Sequence, residues 1–123
     1  MKELRLLAVS RDVDYFNDFL GALREEKRLR SRCVTSAAEA LEAAGANGVD
    51  IVVAADTVRE GSGIDLIRQV VKKNPFVNTA LVSALPPGEF HEATEGLGIF
   101  MQLSPRPGSA DADKFRELLS RLY

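Results

Sequence analysis

The sequence predicts an α/β protein, a three-layer, doubly wound sheet of five parallel strands. Two observations predict it. Five short apolar runs alternate with five stretches whose apolar residues recur at helical spacing, the order expected of repeated βα units. The central run, Val49-Asp50-Ile51-Val52-Val53-Ala54-Ala55-Asp56, is almost wholly apolar, as a parallel strand covered by helices on both faces must be. It ends on a carboxylate and is followed by Gly61-Ser62-Gly63, so it delivers an acidic side chain to the carboxyl edge of the sheet, where open α/β folds bind ligands.

Each element follows from its local pattern. Residues 4–9 are the first strand, broken only by Arg5. Tyr15, Phe16, Phe19, Leu20 and Leu23 give the stripe of the first helix, with Asp12 or Asp14 placed to cap it. Residues 32–34 are a brief second strand, and Ser36-Ala37-Ala38-Glu39 has capping-box spacing ahead of a second helix that stops at Gly45. Residues 50–55 form the third strand, and Ile64, Leu66, Ile67, Val70 and Val71 line a third helix ended by Pro75. Residues 79–83 are the fourth strand, 89–95 a weaker helix and 99–103 the fifth strand. The last helix covers residues 111–122, with Phe115, Leu118, Leu119 and Leu122 on one face.

Composition narrows the function classes. The 123 residues read as one domain, 1–123, without linker, repeat or low-complexity segment. Sixteen basic against eighteen acidic side chains leave a net charge of -2, which suggests neither nucleic acid nor a membrane as an electrostatic partner. Cys33 is the single cysteine and His91 the single histidine, so one chain can build neither a disulfide nor a multi-ligand His/Cys metal cluster. The predicted topology also separates the two, which argues against a Cys-His nucleophile pair. Gly61-Ser62-Gly63 lacks the spacing and lysine of a phosphate-binding loop. With no leader and no apolar run near 18 residues, a cytoplasmic protein is expected.

Asp56 after the third strand, Gly63 ahead of the third helix, Ser83-Ala84 after the fourth strand and Ser104-Pro105 after the fifth stand in a recognisable order. In that order, over residues 4–122, the chain resembles bacterial response-regulator receiver domains, which have the flavodoxin-like fold. The resemblance implies a site with two adjacent carboxylates after the first strand, a phosphoacceptor aspartate after the third, a hydroxyl after the fourth and a Lys-Pro pair after the fifth. An aspartate accepts a phosphoryl group only when a divalent cation and an ammonium neutralise the transferring oxygens.

This chain departs from that set. The acidic pair is replaced by Ser10-Arg11, followed by Asp12. Counting from Asp50, with Gly63 in support, Ala55 falls on the acceptor position and Asp56 one residue beyond. A loop shorter by one residue would put Asp56 there instead, and the two alternatives point the side chain to opposite faces. Ser83 matches the hydroxyl. Pro105 matches the proline, but Ser104 stands where the lysine belongs; counting from Gly96 puts Leu103 there. The Ser104-Pro105 bond is expected to share the cis geometry common at this point in receivers.

The expected function is therefore that of a degenerate receiver-like module, not an enzyme and without a cofactor, acting by protein–protein contact that needs no phosphorylation. Its partner would be a signalling kinase, a regulator, an output domain or a second copy. Two alternatives stand beside it. One is an atypical phosphoacceptor using Asp56 with Asp12 and Mg²⁺, these two aspartates being the metal-ligand candidates. The other is a flavodoxin-like domain that binds a small ligand at its strand ends. The resemblance implies a partner face on the fourth helix, fifth strand and fifth helix. Phe90, His91, Met101 and Tyr123 are its exposed candidates, and the aromatic position of the fifth strand is Phe100 or Met101 according to the direction of counting. Core packing is the competing expectation for Phe90, Phe100 and Met101. Leu85-Pro86-Pro87-Gly88 makes the preceding loop rigid, which suits a fixed surface.

Overall fold

A computed structural model describes residues 3–45 and 48–123. Chain order is β1 (Leu4–Val9), α1 (Asn17–Ala22), β2 (Leu29–Val34), α2 (Ala37–Gly45), β3 (Ile51–Ala54), β4 (Thr57–Val58), β5 (Gly61–Ser62), α3 (Gly63–Lys73), β6 (Asn78–Val82), α4 (Pro87–Ala93), β7 (Ile99–Leu103) and α5 (Ser109–Leu122). The main sheet has the order β2-β1-β3-β6-β7, and all of its pairings are parallel. The order reverses at β1, so the ends of β1 and β3 flank the crevice where this architecture places its sites.

Helices cover both faces, which is why β3 is buried at every residue and reads as continuously apolar. Alternation divides each strand between two cores. Leu6, Ala8, Ile51, Val53 and Ala55 meet Phe16, Phe19, Phe115 and Leu119 of the α1/α5 layer. Leu7, Val9, Val52 and Ala54 meet Ala40, Leu66, Ile67, Val70 and Phe90 on the other face.

Several boundaries differ from the sequence pattern, each for a local reason. β2 begins at Leu29 instead of residue 32, because Arg30, Ser31 and Arg32 pair with β1 along a sheet edge, where charged side chains reach water. Neither Asp12 nor Asp14 caps α1. The Asp12 carbonyl accepts the Tyr15 N–H in a turn, Asp14 accepts from the Asn17 amide side chain, and the helix starts only at Asn17. Ser36 does cap α2, its hydroxyl accepting the Glu39 N–H and donating to the Glu39 carboxylate. Between β3 and α3 the chain forms a two-residue antiparallel hairpin, β4 and β5, that no periodicity announced. Ser62 then caps α3 by accepting the Asp65 N–H, a bond that stabilises such a helix by about 1 kcal/mol.

β7 contains the most consequential irregularity. Thr79 pairs with Ile99, yet the next residue, Ala80, pairs with Met101, so Phe100 is an extra residue bulged from the strand. Phe100 and Met101 consequently both turn toward the α1/α5 core, where they pack half-buried and buried. The two countings of the fifth strand differ by this one residue.

Candidate functional site

The carboxyl ends of β1, β3, β6 and β7 bring four loops together. In the β1–α1 loop, the Ser10 hydroxyl is buried and donates to the Asp12 carbonyl at 2.6 Å, while its N–H donates to the Val34 carbonyl. The hydroxyl thus closes its own turn. Arg11, Asp12 and Asp14 are exposed. No ion pair joins Arg11 to Asp56 among the described residues.

The end of β3 sets the register. The Ala55 N–H donates to the Val9 carbonyl at 2.8 Å, and its methyl lies in the α1/α5 core, 2% exposed. Gly63 opens α3 against this point, its N–H donating to the Asp56 carbonyl at 2.9 Å. A Cβ on Gly63 would overlap the Ala55 carbonyl oxygen and come within 2.9 Å of Leu81 Cδ1. Only glycine lets the helix start so close to the strand end, and the 55–63 segment is fixed in length by that contact. Asp56 then turns away from the α1/α5 core into solvent, beside a pocket of about 140 Å³ whose other walls include Ile64, Leu81, Leu85, Phe90 and Thr94.

Ser83, half-buried, accepts the Leu85 N–H at 3.1 Å, and the Gln102 amide donates to the Ser83 and Leu85 carbonyls at 3.0 and 2.8 Å. Its hydroxyl organises the start of the Leu85-Pro86-Pro87-Gly88 loop, which enters α4 with proline at the first helical position. Ser104 is held by a residue that sequence reasoning read only as a helix start. Asp111 accepts the Ser104 hydroxyl at 2.7 Å, the Ser104 N–H at 3.2 Å and the Gly108 N–H at 3.2 Å. A carboxylate in the first turn of α5 thus ties down the whole β7–α5 loop. Its one local signal was an acidic residue three positions after a possible N-cap. No cis peptide bond occurs among the described residues, so Ser104–Pro105 is trans, contrary to expectation. The trans form is also the lower-energy isomer of an X-Pro bond, by about 0.5–1 kcal/mol.

Tyr15 is the second residue whose part sequence reasoning missed. It was legible as an apolar member of the α1 stripe, but a half-buried phenol needs a partner for its hydroxyl. Here it donates to the Pro105 carbonyl at 2.5 Å, joining the β1–α1 and β7–α5 loops across the sheet edge. Burial, and then the negative charge of Asp56, push the Tyr15 phenol above its ordinary value. The folded state therefore holds this proton more tightly than the unfolded chain does. Its contribution is complete below about pH 10 and is lost as pH rises through the folded-state value. Tyr15→Phe is expected to lower stability by about 0.5–1 kcal/mol at neutral pH. It should also flatten the alkaline fall in melting temperature above about pH 10; thermal melts of both proteins across that range check both effects.

The expected partner face differs from the sequence reading. Phe90 and Met101 are buried, and Phe100 is half-buried against Phe115 with ring centroids 5.7 Å apart, so these three are packing residues and not an exposed surface. Apolar neighbours on both faces of the sheet draw them inward. His91 is exposed on α4. Tyr123 is partly exposed, but its hydroxyl accepts from the Asn78 amide at 2.6 Å and donates to the Asp50 carbonyl, which anchors the end of α5. Half-buried Cys33 has its thiol pushed up by desolvation, away from the reactive range.

The donor set fits a divalent cation poorly. Among the described residues no group of three or more His, Cys, Asp or Glu side chains could hold a metal, and Asp12 and Asp56 gain no third carboxylate. A Mg²⁺ ion demands octahedral oxygen ligation, which Ser10 and Arg11 do not supply.

The architecture and the loops at its carboxyl edge together have the fold of response-regulator receiver domains. Solved structures similar to the chain include a CheY-like response regulator receiver domain protein from Methanospirillum hungatei JF-1, with TM-score 0.80 and 16% identity over 98% of this chain and 96% of that one. The receiver domain of the Francisella response regulator 1452 matches with TM-score 0.80 and 18% identity over 98% and 100% of the two chains. The chemotaxis response regulator CheY4 of Vibrio cholerae matches with TM-score 0.79 and 13% identity over 96% and 99%. No protein-family model matches the chain. No curated protein matches it either. Among the described residues no helix is long and apolar enough to cross a membrane.

Proposed function

We propose that this chain is a receiver-fold module of two-component signalling that works by binding a protein partner, without phosphorylation, metal or catalysis of its own. The single observation that carries the reading is the anchored end of β3: Gly63 seats on the Ala55 carbonyl, and the side chain at that point is a buried methyl. The neighbours agree with it. A hydroxyl bonded to Asp111 precedes Pro105, and a guanidinium stands in the β1–α1 loop. Phosphoryl transfer onto an aspartate depends on charge neutralisation worth several kcal/mol, and these side chains do not provide it. The scaffold persists because packing, not the site, sustains it.

A second reading, an atypical phosphoacceptor, is favoured by one observation: Asp56 is exposed at the carboxyl edge, and its carboxylate makes no hydrogen bond or ion pair among the described residues. Titration with Mg²⁺ and beryllofluoride, an acyl-phosphate mimic, followed by backbone amide NMR, separates the two. The expected result is no response at Asp56, Ser83 or Ser104 in a well-dispersed spectrum. Shifts that saturate together at those residues, and vanish in Asp56→Asn, would establish the phosphoacceptor instead.

A further inference from the structure

The pocket beside Asp56 has a chemistry that neither reading uses. Its walls are mostly apolar: Ile64 from α3, Leu81 from β6, Leu85 from the following loop and Phe90 from α4. Its hydroxyls are already engaged, since Thr94 donates to the Phe90 carbonyl at 2.9 Å and Ser83 accepts the Leu85 N–H. The Asp56 carboxylate is the polar group left without a partner, on the rim of a cavity of about 140 Å³. A cavity of about 150 Å³ lined by apolar side chains is large enough to hold benzene.

We infer that this pocket is a binding site for a small hydrophobic cation, an apolar group of roughly benzene size carrying an ammonium or guanidinium that pairs with Asp56. The apolar body replaces water against Leu81, Leu85 and Phe90, and the cation meets the one carboxylate on the rim. An anion of the same shape is rejected, because its charge would face Asp56 and no described cation lines the cavity. Rim exposure makes the charge pairing modest and sensitive to salt. The same chemistry is presented by a free arylalkylamine and by a partner's aromatic side chain next to an arginine. The site depends on Asp56 as a carboxylate and not on whether the chain can be phosphorylated, so it goes beyond the proposed function.

The test is amide NMR on the full chain with three probes of similar size and different charge: benzylamine, benzyl alcohol and benzoate. Benzylamine is expected to give saturable shifts at Asp56, Leu81, Phe90 and Thr94, at a concentration about two- to fivefold below that needed for benzyl alcohol, with benzoate silent. Asp56→Asn, a change at an exposed side chain, should remove the preference for the cation and leave the weak response to benzyl alcohol. A further arm with N-acetyl-Phe-Arg-amide distinguishes the sources: tighter binding than benzylamine points to a partner protein, weaker binding to a free amine. No saturable response to benzylamine, equal responses to all three probes, or an Asp56→Asn variant with the preference intact would overturn the inference. Those outcomes would leave the reading as an interaction module standing, because the beryllofluoride titration tests that separately.

Discussion

Gly63→Ala is expected to destabilise the protein by about 3 kcal/mol, seen as a fall of about 12 °C in melting temperature. The reason is geometric. The added Cβ would occupy the space of the Ala55 carbonyl oxygen, a backbone atom that cannot rotate aside, and would press on Leu81 Cδ1 at 2.9 Å. Relief requires α3 to move off the sheet. That movement would open the core formed by Leu66, Ile67 and Val70 and stretch the bond from the Gly63 N–H to the Asp56 carbonyl. Gly21→Ala is the control, since nothing lies within 4 Å of a Cβ there and the residue is inside α1. It should gain about 0.5–1 kcal/mol from the lower entropy of the unfolded chain. Equal melting temperatures for the two variants would mean that α3 is not seated on β3 and that the 55–63 register is free to slip. The assignment of Ala55 to the acceptor position would then fail with it.

How far this register could be read from the sequence depends on which interactions set it. β3 and α3 were legible because burial on two faces of a strand and on one stripe of a helix leaves a periodic trace. The place of Gly63 was legible for a related reason: a helix start packed against a strand end leaves no room for a side chain. β2 was legible only from residue 32, because an edge strand lets Arg30 and Ser31 reach water and so resembles a loop. The bulge at Phe100 left no trace. Ile99, Phe100, Met101 and Leu103 are all apolar, so one more apolar residue does not disturb a pattern that lacks alternation. It is for this reason that the aromatic position of β7 could be counted two ways. The clasp of Tyr15 on Pro105 and the clamp of Asp111 on Ser104 were hidden more deeply. The clasp depends on loops brought together by the fold from 90 residues apart, a meeting no local pattern encodes, whereas the clamp spans seven residues of one loop and had only the acidic residue in the first turn of α5 as its signal.

Phe115→Ala is expected to have a still larger effect, about 4 kcal/mol and a loss of about 15 °C in melting temperature. Phe115 is fully buried on α5, edge-on to Phe19 of α1 at 5.3 Å and tilted against Phe100 at 5.7 Å. It joins the two helices that cover one face of the sheet to the bulged strand. Truncation removes both the transfer free energy of the ring and its aromatic contacts, and leaves a cavity that α1, fixed at Phe16 and Phe19, fills only in part. Phe100→Ala removes the same ring from a half-buried site and should cost about 1–2 kcal/mol. The ratio of the two losses, measured by urea unfolding, tests where the bulge places its side chain. If Phe100→Ala cost as much as Phe115→Ala, Phe100 would be a core residue of a regular strand. The register downstream would then shift by one, and Leu103, not Ser104, would occupy the position that receivers give to lysine. A small loss at Phe100 keeps Ser104 there, bonded to Asp111, with no ammonium available to a phosphoryl group.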